Sequence, residues 1–232
     1  MPKSAAAAAA DAAAGLETAR LLLDIKAVNF RPEQPYILTA GWASPVYIDC
    51  RRVISFPEAR AKIIRMAVAK LEREIGFESI DAVAGGETAG IPYAAWIADA
   101  TKKPMLYVRK KPKGFGRDAQ IEGDPKAGSR ALLVEDLATD GGSKIVFVNG
   151  MRAAGLKVTD VFVVFFYGAF SGAIDTLREA GVRLHWLATW RDVLRAAEEG
   201  KYFSEAAIDG VRAFLDDPVG WSKTHGGKGD PD

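Results

Sequence analysis

From residue 57 to residue 189 the chain alternates between two patterns. "IDAVAGG", "MLYVRK", "ALLVEDL", "VTDVFVVFFY" and "VRLHWLATW" are near-continuous apolar runs, as strands covered on both faces require. "GIPYAAWIADATKK", "GSKIVFVNGMRAAG" and "SGAIDTLREAG" separate them and carry apolar residues at helical spacing. "PEARAKIIRMAVAKLEREIG" comes first, an amphipathic helix with Pro57 at its start and Gly76 at its end. Strands and helices in alternation predict right-handed βαβ units. The expected fold is α/β, a mostly parallel sheet flanked by helices.

The flanks read differently. Residues 16–30 place Leu16, Ala19, Leu22, Leu23 and Ala27 on one helical face, and residues 31–57 are rich in Pro and turn residues, with extended pieces near Ile37 and Val46–Ile48. Helices near 190–200 and 204–216 finish the pattern. The expected organisation is an Ala-rich tail over 1–15, frayed helical or disordered, one domain over 16–217 with its core at 57–200, and a C-terminal tail over 218–232. "MPKSAAAAAADAAAG" has no Leu-rich stretch of a signal peptide, and the longest apolar run, 161–170, is too short to span a bilayer.

Composition narrows the function classes. With 31 basic and 30 acidic side chains the net charge is +1, so no global field recruits nucleic acid or an anionic membrane. Cys50 is the only cysteine, which excludes an internal disulfide and suits a reducing cytoplasm. Its setting, "VYIDCRR", reads as a strand edge with a buried, inert thiol.

The chemistry is concentrated at the ends of strands. Glu135 and Asp136 follow four apolar residues. Buried carboxylates need partners, and an acid pair suits the vicinal hydroxyls of a sugar or a hydrated Mg²⁺. Leu137 and Ala138 lead into "TDGGS", where Gly141 and Gly142 permit close backbone approach, Thr139 and Ser143 offer hydroxyls, and a helix N-terminus favours an anion. Together these describe a ribose-5-phosphate site. The spacing is not that of a Walker A loop, and "GFGRDA" sits in a cationic loop rather than opening a helix, against a dinucleotide site. In that loop Arg109, Lys110, Lys111, Lys113 and Arg117 put five positive charges in nine residues, with Phe115 the one aromatic, against nucleic acid. A polar loop of roughly twenty residues in a compact domain itself points to function.

"ALLVEDLATDGGS" resembles the phosphoribosyl-pyrophosphate signature of type I phosphoribosyltransferases. "TAGWASPVYIDCRRV", "AGGETAGIPYAAWIAD" and "YVRKKPKGFGRDAQIEG" resemble, in the same order, segments of orotate phosphoribosyltransferases, and the match spans about residues 20–190. The resemblance implies the fold of that family, with residues 16–56 as a hood over the base, Mg²⁺, and phosphoribosyl pyrophosphate and orotate as substrates. It implies a homodimer whose 109–123 loop acts on the partner's site, so that Arg109, Lys110 and Lys113 meet the departing pyrophosphate. Glu135 and Asp136 would hold the ribose hydroxyls, and Asp140, Gly141, Gly142 and Ser143 the 5′-phosphate. Thr139 would lie near C1, Gly85–Thr88 along the pyrophosphate, and Tyr47 and Ile48 near the base. Mg²⁺ would be held mainly through the substrate, with Asp136 reaching it through water. Four positions depart from the family pattern: Phe115 stands for a frequent His, Ala89 and Thr39 for frequent Lys, and Gly168 for the Arg that contacts orotate. Arg51, Arg52 or backbone amides near Tyr47 and Ile48 are then the candidates for the orotate carboxylate. Two other readings are a different base on the same scaffold and a non-catalytic phosphoribosyl-pyrophosphate sensor, which would not need five loop cations.

Overall fold

The computed structural model describes residues 4–38, 41–112, 120–139, 141–170 and 172–229. In chain order the elements are α1 (Ala5–Asp24), β1 (Val28–Phe30), β2 (Tyr36–Ile37), β3 (Ala43–Ser44), β4 (Val46–Ile48), α2 (Pro57–Glu74), β5 (Ala82–Gly86), α3 (Gly90–Thr101), β6 (Met105–Val108), β7 (Ile121–Glu122), β8 (Arg130–Ala138), α4 (Gly142–Ala153), β9 (Lys157–Phe166), α5 (Ala173–Glu179), β10 (Arg183–Thr189), α6 (Trp190–Gly200), α7 (Glu205–Asp216) and α8 (Pro218–Thr224). They fall into two compact units: 57–166 with 171–187, and 1–56 with 167–170 and 188–232.

The first unit is the expected α/β layer. Six strands lie in the order β10-β9-β8-β5-β6-β7, with β5 parallel to β6 and β8, β8 parallel to β9, and β7 antiparallel to β6. The apolar runs read from the sequence are the buried central strands: Leu132, Leu133, Val134, Val161, Phe162, Val163, Val164 and Phe165 are all fully inaccessible. One face packs on α4 through Phe147, Val148 and Met151. Fully burying each such side chain contributes about 1.5–3 kcal/mol. The order of strands positions the site. From β5 the chain runs out to β6 and β7, then returns to β8 on the other side of β5 and continues away through β9. That reversal leaves a crevice at the carboxyl ends of β5 and β8, where open α/β sheets bind their ligands.

Near the amino ends of the strands lies a buried charged cluster. Asp160 of β9 accepts from Arg130 at 2.8 Å and Thr159 at 2.7 Å, and pairs with Arg183 at 2.9 Å. His185 of β10 joins Asp160, through Nε2 at 2.9 Å, to Glu74 of α2, through Nδ1 at 2.6 Å.

The second unit combines α1, two short antiparallel pairs (β1 with β4, β2 with β3) and the C-terminal helices α6–α8. Two expectations change here. Residues 5–15, read as a tail, are the first turns of α1, capped by Ser4, whose Oγ accepts from the Ala7 amide at 3.2 Å. Alanine is the strongest helix former, and a Ser N-cap supplies the start. Residues 218–224, also read as tail, form α8. Buried Trp221 meets Phe214 edge-on, and Ser222 Oγ accepts from the Ala43 amide and donates to the Lys228 carbonyl. The boundary drawn at residue 200 moves too, because the chain from 188 onward, beginning with the last two residues of β10, groups with the N-terminal segment. Cys50 is buried as expected, but it opens a 3₁₀ turn rather than edging a strand.

Candidate active site

Three segments converge at the sheet's carboxyl crevice. The first is the turn after β5. The Glu87 amide donates to the Val108 carbonyl at 2.9 Å, the Glu87–Thr88 peptide is cis, and the Thr88 carbonyl accepts from the Ile91 amide at 3.3 Å. Thr88 is exposed, and α3 begins at Gly90.

The second segment is the root of the cationic loop. Glu87 also accepts from the Lys110 amide at 2.7 Å, tying the loop to the first turn. Arg109 and Gln120 bond each other twice: the Arg109 amide donates to the Gln120 carbonyl and the Gln120 side-chain amide donates to the Arg109 carbonyl, both at 2.8 Å. The Arg109 guanidinium lies 3.5 Å from Glu122 on the neighbouring strand. Arg109, expected to meet the leaving group, thus has an ion-pair partner beside it on the neighbouring strand at the loop's base. Lys110 and Lys111 are exposed. Lys113, Phe115 and Arg117 lie outside the described residues, as do Thr39 and Asp140.

The third segment follows β8. The two acids part company. Asp136 is half-buried at the strand end, whereas Glu135 is 6% exposed and turned inward. Its Oε2 lies 3.2 Å from the ammonium of Lys144, and its Oε1 is buried without a hydrogen-bond partner. Adding a Cβ to Gly86 or Gly90 would overlap Oε1, so the carboxylate fills the space beneath the β5 turn. Burial pushes the Glu135 carboxyl up, the charge of Lys144 opposes that rise, and Asp136 adds to it. Glu135, expected beside the ribose hydroxyls, is therefore buried beneath the turn, and Asp136 is the more exposed acid of the pair. Leu137 and Ala138 complete the strand, and Thr139 is half-buried beyond it. Gly141 is buried with φ +84°, a conformation that side chains resist, and α4 then starts at Gly142. Ser143 is exposed, and its hydroxyl accepts from Lys144 at 3.1 Å. Lys144 was not singled out from the sequence. Its signal was a cation two residues after the glycine pair, in the first turn of the helix.

Tyr47 and Ile48 lie in the other unit. Ile48 is buried on β4 opposite Val28. Tyr47 is exposed, its ring 5.3 Å from that of Tyr36 and its hydroxyl 3.5 Å from Arg51. Arg51 also pairs with Asp49 at 2.6 Å, while Arg52 donates to the Ile25 carbonyl at 3.0 Å. Gly168 is exposed with φ +60°, and Tyr167 before it is buried against the Ser44 hydroxyl.

No protein-family model matches the chain. Orotate phosphoribosyltransferase of Agrobacterium fabrum is 51% identical over 209 residues, 90% of either chain. The chain belongs to the orotate phosphoribosyltransferases. Solved members of this family share its fold. The crystal structure of orotate phosphoribosyltransferase from Aeropyrum pernix is 30% identical, with a TM-score of 0.66 over 78% of this chain and 99% of that one. The Mycobacterium tuberculosis enzyme in complex with 5-phospho-α-D-ribosyl 1-diphosphate is 26% identical, with a TM-score of 0.59 over 78% and 98% of the two chains. Among the described residues no helix is long and apolar enough to cross a membrane.

Proposed function

We propose that this member of the family transfers the phosphoribosyl group of phosphoribosyl pyrophosphate to orotate in the cytoplasm, giving orotidine 5′-phosphate and pyrophosphate in pyrimidine nucleotide synthesis. The observation that carries the reading is the crevice at the carboxyl ends of β5 and β8. It sets a turn opening α3 beside a loop opening α4, two backbone segments ready for anions at the two ends of one ligand. Gly85–Thr88 take the pyrophosphate, Gly141–Ser143 with Asp140 take the 5′-phosphate, and Thr139 lies near C1. Asp136 accepts the ribose hydroxyls alone, because Glu135 is turned away.

In the reaction the bond from C1 to the pyrophosphate oxygen breaks, the bond from C1 to orotate N1 forms, and N1 gives up its proton. Negative charge grows on the leaving group as the sugar becomes oxocarbenium-like. Lys110, and Lys113 contributed by the partner subunit of a homodimer, stabilise that charge and exclude competing water. Arg109 fixes the base of the loop that delivers them. In place of the arginine missing at Gly168, Tyr47 and Arg51, the latter paired with Asp49, are our candidates for the orotate ring and carboxylate.

The residues present fit Mg²⁺ held by the substrate. No group of three or more His, Cys, Asp or Glu that could hold a metal occurs among the described residues, and Asp136 is the carboxylate at the strand end. Mg²⁺ usually binds through one or two carboxylates, waters and substrate phosphates. When bound it neutralises pyrophosphate charge.

Steady-state turnover with orotate and a panel of other bases tests the reading. Orotate is expected to be consumed with release of pyrophosphate. Turnover with a purine or uracil and none with orotate overturns the base assignment, and no turnover with any base overturns the enzyme.

A further inference from the structure

The buried Lys144–Glu135 pair has no part in the reaction as written, yet it touches both anion-binding segments. Lys144 Nζ lies 3.2 Å from Glu135 Oε2 and 3.1 Å from Ser143 Oγ, and both charged residues are 6% exposed. The other carboxylate oxygen faces the backbone of the β5 turn, where a Cβ built on Gly90 would lie 2.5 Å from it. A contact chain therefore runs from Gly86 and Gly90 through Glu135 and Lys144 to Ser143.

We propose that Lys144 is a positioning residue that joins the turn after β5 to the loop after β8 by holding Glu135 beneath the first and Ser143 at the head of α4. The proposal rests on the site assignment above and deepens it. The separation of the two segments must match one ligand carrying a phosphate at each end, and a buried charged strut fixes that separation before the ligand arrives. The strut also settles the local charge. A buried carboxylate beside two anion-binding segments repels a ligand rich in phosphate, and Lys144 neutralises it. The other charged groups acting on Glu135 are Asp136 and, from the cationic loop, Lys110.

The test compares wild type with Lys144→Met, Lys144→Arg, Glu135→Gln and Lys144→Met/Glu135→Gln. The dissociation constant for phosphoribosyl pyrophosphate is measured by titration calorimetry between about pH 6 and 9. Lys144→Met is expected to weaken binding about tenfold or more, the usual loss when a supporting partner goes. The loss should be greater where Glu135 is ionised than where it is protonated, because the carboxylate without its cation stays unpaired. Adding Glu135→Gln should remove the pH dependence and recover part of the affinity, while binding stays weaker than in wild type because the strut is gone. Lys144→Arg should lie nearest wild type.

Wild-type affinity in Lys144→Met at every pH overturns the proposal, as does a pH-dependent loss that persists in the double variant. If Lys144→Met does not fold, the double variant decides: weakened, pH-independent binding supports the strut and wild-type affinity overturns it. A wild-type chain that fails to bind phosphoribosyl pyrophosphate overturns the site assignment instead.

Discussion

Replacing His185 with leucine tests the charged cluster at the amino ends of the strands. His185 places one ring nitrogen on Glu74 and the other on Asp160, two carboxylates that favour the protonated ring, in which both nitrogens donate. Burial alone would lower its pKa, but the hydrogen bonds and charges of Asp160 and Glu74 raise it above the ordinary value. Breaking a buried ionic contact by removing one partner costs about 3–5 kcal/mol. Here Asp160 keeps Arg130, Thr159 and Arg183, and Glu74 keeps Lys70 at 2.9 Å, which sets the cost near the lower end, about 3 kcal/mol. At about 2–4 °C per kcal/mol for a chain of this size, Tm should fall by about 6–12 °C. The pH profile is the sharper readout. Folding raises the His185 pKa, so its contribution is complete below the unfolded value of about 6.5 and is lost as pH rises through the higher folded value. Calorimetric melts should show wild-type Tm declining over that alkaline stretch and the variant lacking the decline. Equal Tm values, or parallel Tm–pH curves, would refute the reasoning.

Gly90→Ala would drive its Cβ into the Val134 carbonyl and the Glu135 carboxylate, neither of which can retreat from a buried strand. Overpacking of this kind costs about 1–3 kcal/mol, so chemical denaturation should show that loss, and titration should show weaker binding of phosphoribosyl pyrophosphate. If the 109–123 loop acts on the partner's site, mixing Lys113→Ala with Asp136→Ala subunits should restore about a quarter of wild-type activity at random reassortment, because half the dimers are mixed and each carries one intact site. Activity that stays at the level of the inactive parents, with exchange verified by mass spectrometry, rules out the shared site.

The α/β layer was legible because strands covered on both faces must be apolar throughout, and β5, β8 and β9 follow that rule without exception at their centres. The crevice was legible because a glycine pair beside acids at a strand end has few other uses. Neighbouring residues on a strand point to opposite faces, which is why Glu135 is buried beside Lys144 while Asp136 stays half-exposed at the strand end. Composition left the N-terminal segment between frayed helix and disorder, and hid the order of the C-terminal one. Alanines and glycines look featureless, but Ser4 caps the first helix, and Trp221 with Ser222 anchors the last segment through partners distant in sequence. The use of Arg109 at the loop's base was not legible, because its partner Glu122 is set by an antiparallel pairing of two residues too short to show a pattern.

The double hydrogen bond between Arg109 and Gln120 also separates two design problems. With β6 and β7 it closes the hairpin at its neck, so the ends of the cationic loop are fixed before the residues between them are counted. Closure entropy grows only slowly with loop length. Adding or removing residues beyond the neck therefore changes how far the cations extend while the register of the sheet edge stays as it is. Reach and register are thereby set by different residues, the first by the chain beyond the neck and the second by the neck itself.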